Sequence, residues 1–213
     1  MVSTSSPNHP SSYGPSETAL LLLDFHNMFS GFIQEAAERE KLINSTQALL
    51  AAARESKTPI LHCLIDASRD PLPTSKLADR WAEQYKPAFA GNPEFAVQMS
   101  DVAVDKDSKT EYSFNRLAGR VSALNSEGIM ELLQEKLEIK SLVLCGFVSS
   151  GCVLSTARNG ADEGFVITVV PDACWDRDME VHNTVMDHVI PMTGHTMDLD
   201  EAVRVLRGND VSK

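Results

Sequence analysis

Residues 142–172 read LVLCGFVSSGCVLSTARNGADEGFVITVVPD, and this stretch decides the fold. An apolar run leads into a turn of small residues that carries Cys152, then a helical segment and a second apolar run. Short apolar runs without alternation are typical of strands buried on both faces of a parallel sheet. A cysteine at a strand-to-helix turn meets backbone N–H groups and a helix dipole, which both favour a thiolate. The stretch therefore predicts a βαβ unit with a reactive thiol at its turn.

The same alternation of strand and helix continues along the chain. Strands are predicted at 18–24, 59–65, 99–104 (a weak one), 142–145 and 165–170, with a short edge strand in MTGHTM, residues 192–197. Helices are predicted at 35–56, 75–85, 126–137, 152–163, 178–189 and 199–206. Such alternation indicates right-handed βαβ units and a parallel sheet covered on both faces. We expect one domain over residues 17–213, preceded by a Ser- and Pro-rich tail, residues 1–16, that is predicted to be disordered.

Composition and charge exclude several classes of function. The chain has 213 residues, of which 43% are hydrophobic and 23% charged, as in ordinary globular domains. Its formal net charge of -11 argues against binding to nucleic acid or to an anionic membrane surface. None of the four cysteines forms a C-x-x-C pair, so neither a zinc site nor a disulfide framework is indicated. The first 17 residues show no apolar core of a secretory signal, and we expect a cytoplasmic protein.

Three groups of complementary chemistry are predicted at the carboxyl ends of strands, where ligands of open α/β sheets collect. Asp24 ends the first strand, Lys109 follows the weak middle strand, and Cys152 follows the strand that begins at Leu142. Together they suit a nucleophilic thiol, an acid–base carboxylate and a cation that favours the charged forms of both. Each residue also has a purely structural interpretation. Asp24 could be a helix-capping acid, Lys109 a solvated surface lysine, and Cys152 a small buried hydrophobic residue.

Four blocks in order give a resemblance to a known superfamily. They read LLLLDFHNMF, KTEYSFN, LVLCGFVSSGCVLSTARNGADEGFVITVVPDACW and GHTMDLDEAV, and they span residues 18 to about 206. The sequence resembles the isochorismatase-like cysteine hydrolases, which include nicotinamidases, N-carbamoylsarcosine amidase and ureidoacrylate amidases. The resemblance implies a three-layer αβα sandwich with a mostly parallel, Rossmann-like sheet of about six strands.

The superfamily's Asp–Lys–Cys triad carries over by resemblance onto Asp24, Lys109 and Cys152, with Lys106 as the alternative lysine in a lysine-rich loop. The resemblance also implies a cis peptide bond between Phe147 and Val148. It further implies an oxyanion hole formed by the backbone N–H groups of Val148 and Cys152.

Candidate substrate contacts and departures from the superfamily pattern lie in the flanking loops. Substrate-binding candidates are His26, Phe29, Trp81, Phe114 and Ser149, with Trp175 as a further aromatic wall. His26 stands where relatives commonly have Gln, so it either contacts substrate or fills space. The segment LIDASRD lacks the histidine of metal-dependent nicotinamidases, so we expect no catalytic metal and no cofactor. His182 and His188 are expected at the surface or in an interface.

The resemblance implies hydrolysis of a C–N bond in a small amide or ureide through a thioester, by a homo-oligomer (dimer or tetramer). Two alternatives remain open at this point. One is an isochorismatase-type vinyl-ether hydrolase, and the other is a non-catalytic, redox-sensitive binding protein on the same fold.

Overall fold

Two fully buried strands, β1 and β4, form the centre of a parallel sheet. The structure, a computed structural model, describes residues 6–208. Within that range the sheet has six strands in the order β3-β2-β1-β4-β5-β6, and every neighbouring pair is parallel. The strands are β1 (Thr18–Leu23), β2 (Ile60–Asp66), β3 (Glu111–Leu117), β4 (Ser141–Phe147), β5 (Val166–Trp175) and β6 (His195–Thr196). The predicted Rossmann-like parallel sheet is therefore confirmed.

Helices cover the sheet because the right-handed crossovers to its two halves run in opposite directions. The helix Ala36–Ser56 connects β1 to β2 and packs against the closing helix Leu199–Leu206. The crossover from β4 to β5 carries Ser149–Val153 and Leu154–Asp162 on the opposite face. The remaining main helical segments are Asn27–Ser30, Ala78–Arg80, Trp81–Tyr85, Lys86–Gly91, Glu131–Lys136, Met179–Thr184 and Val185–Val189. Across residues 6–208, no helix has both the length and the apolar character needed to cross a membrane.

The chain reverses its direction of winding between β1 and β4. From β1 it proceeds to β2 and β3 on one side, and from β4 to β5 and β6 on the other. Ligands of open α/β sheets bind at such a switch point, in the crevice beyond the carboxyl ends of the strands. Asp24 follows β1 directly, and Cys152 lies five residues after β4, so both are delivered to this crevice.

One sequence prediction about a strand is wrong. Residues 99–104 do not form a strand: Ser100–Val102 is a single turn of 3-10 helix, and the third strand is Glu111–Leu117. Residues 6–16 of the tail that the sequence predicts to be disordered make contacts with the domain: Pro10 is buried, Pro10–Ser12 forms a turn, and His195 is bonded through Nε2 to the Asn8 carbonyl at 2.8 Å. The first five residues of the predicted tail lie outside the described range.

Gly146 lets β4 approach β1 at the point where the active-site turn begins. Its φ of +131° is a conformation that L side chains rarely adopt, and a Cβ there would lie 2.1 Å from the carbonyl oxygen of Leu23. The ladder between β4 and β5 also shifts register between Leu144 and Gly146. The end of β4 can therefore reach the crevice only with glycine at this position.

We expect Gly146→Ala to destabilise the protein by about 3 kcal/mol or more, because a methyl group would force apart two central strands. Denaturant unfolding followed by circular dichroism measures the change. Gly91→Ala is the matched control: nothing lies within 4 Å of its added methyl, so the change should stay within about 1 kcal/mol. Equal stability of the two variants would contradict the close approach of β1 and β4.

Candidate active site

Asp24 is held at the carboxyl end of β1 by a change of backbone direction. Its backbone N–H donates to the Cys63 carbonyl at 2.8 Å, which continues the ladder with β2, and its φ is then +56°. Aspartate is among the residues that tolerate this left-handed conformation best. Asp24 is buried and lies on the wall of a cavity at the sheet's carboxyl edge.

Arg116 forms a buried two-point ion pair with Asp24. Its Nη1 donates to Oδ1 at 2.7 Å and its Nη2 to Oδ2 at 2.5 Å. Its Nε donates to the backbone carbonyl of Arg120 at 2.8 Å, which fixes the guanidinium plane. Burial alone would lower the pKa of Arg116, but the Asp24 carboxylate holds it above its ordinary value. The guanidinium is therefore a permanent positive charge beside Asp24.

The structure places Arg116, and not Lys109, at this edge of the sheet. In the β2–β3 ladder Glu111 pairs with Ile60 at the amino end, while Arg116 pairs with Ile65 near the carboxyl end. Lys109 precedes Glu111 and so lies beyond the opposite end of β3, roughly 20 Å away at the rise of a strand. The predicted placement of Lys109 at the rim is wrong. It followed from the misplaced third strand, and Lys106 lies still further from the carboxyl end.

The turn that carries Cys152 is held by side chains on both sides. The Phe147–Val148 peptide bond is cis, as predicted. Asp176 Oδ2 accepts hydrogen bonds from the backbone N–H and the hydroxyl of Ser150, both at 2.7 Å. The hydroxyl of the buried Ser149 lies 2.7 Å from His182 Nδ1. The turn is therefore fixed by buried polar partners, and a loop held in this way suits precise placement of one atom.

Thr156 lies beside the Cys152 sulfur. Its Oγ1 is 3.7 Å from Sγ and accepts a hydrogen bond from the backbone N–H of Ala123 at 2.9 Å. Because the N–H of Ala123 occupies an acceptor position of this oxygen, the threonine O–H can be directed at sulfur. Such a bond favours the thiolate and lowers the pKa of Cys152.

The net pKa of Cys152 nevertheless rises to about 12. Burial is the largest cause, and the negative charge of Asp24 adds to it, whereas Arg116 and Thr156 act in the opposite direction. The influence of the turn, which favours a thiolate, is therefore outweighed by burial and by the charge of Asp24. Asp24 and Cys152 lie on the same cavity wall.

The three groups open onto one cavity of about 640 Å³. Asp24, Arg116 and Cys152 lie on its wall, together with Val148 and Gly151 of the turn. This volume suits a small organic molecule. Across residues 6–208, no three His, Cys, Asp or Glu side chains are grouped in a way that could hold a metal ion.

Of the predicted substrate contacts, Phe29 lies on this cavity, stacked on Phe147 with ring centroids 5.8 Å apart. His26 and Trp81 instead line a smaller cavity of about 80 Å³ behind Phe29. His26 is bonded through Nε2 to the Ile65 carbonyl at 3.3 Å, and burial lowers its pKa.

Five further predictions are corrected by the contacts of the side chains concerned. Trp81 Nε1 donates to Asp70 at 3.1 Å, which turns the indole away from the larger cavity. Phe114 packs against the core, and the Ser149 hydroxyl is hydrogen-bonded to His182, so neither side chain lines that cavity. His182, expected at the surface, is buried at 7% exposure, while His188 is exposed. Trp175 is buried against Phe147 and is not on the cavity wall either.

Sequence reasoning missed Arg116, Thr156 and Asp176. The signal for Arg116 was available in EYSFNRL, where Tyr112, Phe114 and Arg116 alternate on one face of a strand. Thr156 lies four residues after Cys152 on the same helix face, a spacing that brings side chains together. No local pattern marks Asp176, because its partner Ser150 is 26 residues away in the chain.

Comparison with known proteins agrees with this fold. The family model of the isochorismatase domain matches residues 18–201, and the chain belongs to this family. The uncharacterized isochorismatase family protein YecD of Escherichia coli O157:H7 is 25% identical over 200 residues, covering 89% of this chain and 96% of that protein.

Two solved structures share the fold at low sequence identity. A cysteine hydrolase from Pseudomonas syringae pv. phaseolicola 1448A superposes with a TM-score of 0.75 at 16% identity, covering 91% of this chain and 94% of that chain. N-carbamoylsarcosine amidase from Thermoplasma acidophilum superposes with a TM-score of 0.65 at 17% identity, and the match covers 86% of this chain and 97% of that chain. The chain therefore has the fold of isochorismatase-family cysteine hydrolases.

The raised pKa of Cys152 predicts a characteristic pH dependence of alkylation. The reactive thiolate fraction should grow about tenfold per pH unit from pH 7 to 10, because this range lies below a pKa of about 12. Timed labelling with iodoacetamide, read by peptide mass spectrometry, measures the rate at Cys152. A plateau below pH 9 would contradict the buried, protonated thiol.

Replacing Thr156 by Val should slow this labelling several-fold, because the thiolate loses a hydrogen-bond donor. Thr156→Ser keeps the hydroxyl and serves as the matched control, with a rate close to that of the unchanged protein. An unaltered rate in Thr156→Val would exclude a bond from this hydroxyl to sulfur.

Proposed function

We propose that the protein is a cysteine hydrolase that cleaves the C–N bond of a small amide or ureide through a thioester on Cys152. The observation that carries this proposal is the meeting of a thiol, a carboxylate and a permanent cation on one cavity wall. A carboxylate on the same cavity wall as the thiol, close enough for its charge to raise the thiol pKa, is suited to act as a general base. The solved relatives named as cysteine hydrolase and amidase agree with this chemistry.

Acylation would begin with transfer of the thiol proton. The Cys152 S–H bond breaks as its proton passes to Asp24, and sulfur adds to the carbonyl carbon of the substrate. The oxyanion so formed would lie between the backbone N–H groups of Val148 and Cys152. Asp24 then donates its proton to the departing nitrogen, the C–N bond breaks, and ammonia or an amine leaves the thioester.

Deacylation would use the same carboxylate in reverse. Asp24 takes a proton from water as the water oxygen attacks the thioester carbonyl. The C–S bond breaks, the proton returns to sulfur, and the carboxylic acid (or the carbamic acid of a ureide) is released. Atoms and charge balance over the cycle with water as the co-reactant.

Arg116 would make this cycle possible in a buried site. Without it, the Asp24 carboxylate would oppose a second negative charge on sulfur or on the oxyanion. Because the guanidinium stays protonated, it stabilises charge without entering the proton transfers. We therefore propose the group Asp24, Arg116 and Cys152, in which Arg116 takes the role expected of a lysine.

The alternatives fit this geometry less well. Redox-sensing cysteines are exposed and have a low thiol pKa, whereas Cys152 is 4% exposed with a raised pKa. Hydrolysis of a vinyl ether does not need the thiol, so it gives no role to the Cys152 side chain on the same cavity wall as Asp24. A homo-oligomer remains part of the proposal by resemblance alone, and a cytoplasmic location remains part of it from the sequence of the first 17 residues.

Kinetics on a panel of primary amides and ureides test the proposal. Once a hydrolysed substrate is identified by release of ammonia, Cys152→Ala and Asp24→Asn should each lower kcat/KM by a factor of about 10³ or more. Arg116→Gln should also lower it strongly, because Asp24 then lacks its counter-charge. Full activity of Cys152→Ala would falsify the role of the thiol.

Lys109→Gln is the matched control for Arg116→Gln, because both remove one positive charge from the neighbourhood of β3. We expect its kcat/KM to stay within about twofold of the unchanged protein, since surface charges at this distance are screened. Comparable losses in the two variants would contradict the assignment of Arg116 as the active-site cation. Circular dichroism of each variant separates loss of function from loss of fold.

A further inference from the structure

The active-site cavity carries a charge opposite to that of the whole protein. Four basic side chains lie on its wall, namely Lys76, Arg80, Arg116 and Arg120, and Asp24 is the one acidic side chain there among the described residues. Because Asp24 and Arg116 neutralise each other, three positive charges remain. They stand in a chain whose formal net charge is -11.

Within the part of the chain that the structure describes, these three charges are not neutralised by a carboxylate. Among residues 6–208, Lys76, Arg80 and Arg120 form no ion pair with a carboxylate. Their neighbour in the same loop region, Lys86, is by contrast paired with Asp70 at 2.8 Å. The cavity therefore gathers cations that the surrounding acidic surface does not neutralise, and such a wall attracts anions.

The three cations reach the cavity from two separate loops. Lys76 and Arg80 come from the segment that follows β2, and Arg120 from the turn that follows β3. The carbonyl of Arg120 is bonded to Arg116 Nε, so its backbone is fixed relative to the catalytic ion pair. An anion held between these loops would thus lie at a defined place relative to Cys152.

The walls between the cations and the sulfur are apolar. Leu72 and Val121 are 53% and 47% exposed at the mouth, and Phe29, Ile65 and Leu77 line the interior. Exposed apolar side chains grouped at the mouth of a cavity are typical of a ligand-binding surface. A ligand that contacts both the apolar walls and the cations has an apolar body and an anionic end.

We propose that the site selects small amides or ureides that carry a carboxylate, with the scissile carbonyl at Cys152 and the carboxylate toward Lys76, Arg80 and Arg120. This inference rests on the proposed function for the scissile bond. The preference for an anion is a separate property of the cavity and can be measured without turnover.

Two alkylating reagents of similar size, one anionic and one neutral, test the anion preference. Iodoacetate is an anion and iodoacetamide is neutral, and both form the same C–S bond with release of iodide. The rates of both reagents at Cys152 are measured at pH 9 by peptide mass spectrometry. The ratio of the iodoacetate rate to the iodoacetamide rate is then divided by the same ratio for N-acetylcysteine. We expect this normalised ratio to favour iodoacetate by about tenfold at low ionic strength and to fall toward unity in 0.5 M NaCl.

Charge-removing variants locate the source of the preference. Arg120→Gln and Lys76→Gln should each lower the normalised ratio two- to threefold, and the double variant should remove most of it. Arg158→Gln is the control, because Arg158 is exposed, lies outside the cavity, and forms no ion pair with another described residue. A ratio equal to that of N-acetylcysteine, or one unaffected by the cavity variants, would overturn the proposal.

A binding measurement gives the same answer if labelling is too slow to compare. Glutarate should raise the thermal unfolding midpoint of Cys152→Ala protein more than glutaramide does, and Arg120→Gln should abolish the difference. Equal shifts would overturn the anion preference. Preference for glutarate without hydrolysis of glutaramate would retain the anion site and reject the amidase reaction, so the two failures are distinguishable.

Discussion

The buried ion pair between Asp24 and Arg116 is the interaction on which the site depends. The Arg116 and Asp24 side chains are 2% and 4% exposed, and removal of either would leave the other as an uncompensated charge in a low-dielectric interior. The two-point geometry satisfies both carboxylate oxygens and, through Arg120, the remaining Nε of the guanidinium. The pair therefore fixes the direction of the Asp24 carboxylate before any substrate is present.

The same ion pair links the centre of the sheet to its edge. Asp24 ends the central strand β1, Arg116 belongs to the edge strand β3, and β2 lies between them. Because strand register decides which residue reaches the carboxyl end, a shift of one residue in β3 would turn Arg116 to the other face of the sheet. Correct pairing of an edge strand is thus a condition for a charged site at the switch point between β1 and β4.

The cysteine side of the site is built differently, from short-range constraints. Gly146 allows close approach of the strands, Asp176 and His182 hold the turn, and Thr156 contacts the sulfur. Burial raises the pKa of the Cys152 thiol, and the charge of Asp24 raises it further. In the proposed reaction the thiolate would form only as Asp24 accepts the thiol proton.

The central strands were predictable from sequence because their apolar runs leave no alternative to burial. The runs at Leu20–Leu23 and Leu142–Leu144 are fully buried, and the predicted sheet follows from them. The strand β3 was misplaced because an edge strand alternates with exposed polar residues, and its burial signal is weak. That single error moved the predicted cation from Arg116 to Lys109. The burial of His182 was also missed, because its partner Ser149 is distant in sequence.

Trapping of the covalent intermediate tests the central claim most directly. Acid quenching of the protein within milliseconds of mixing with a hydrolysed amide, followed by peptide mass spectrometry, would show any acyl group still attached. The account predicts a mass increase equal to that acyl group on the peptide containing Cys152, absent in Cys152→Ala protein. An adduct on another residue would contradict it, and so would turnover of the same amide by Cys152→Ala at an undiminished rate.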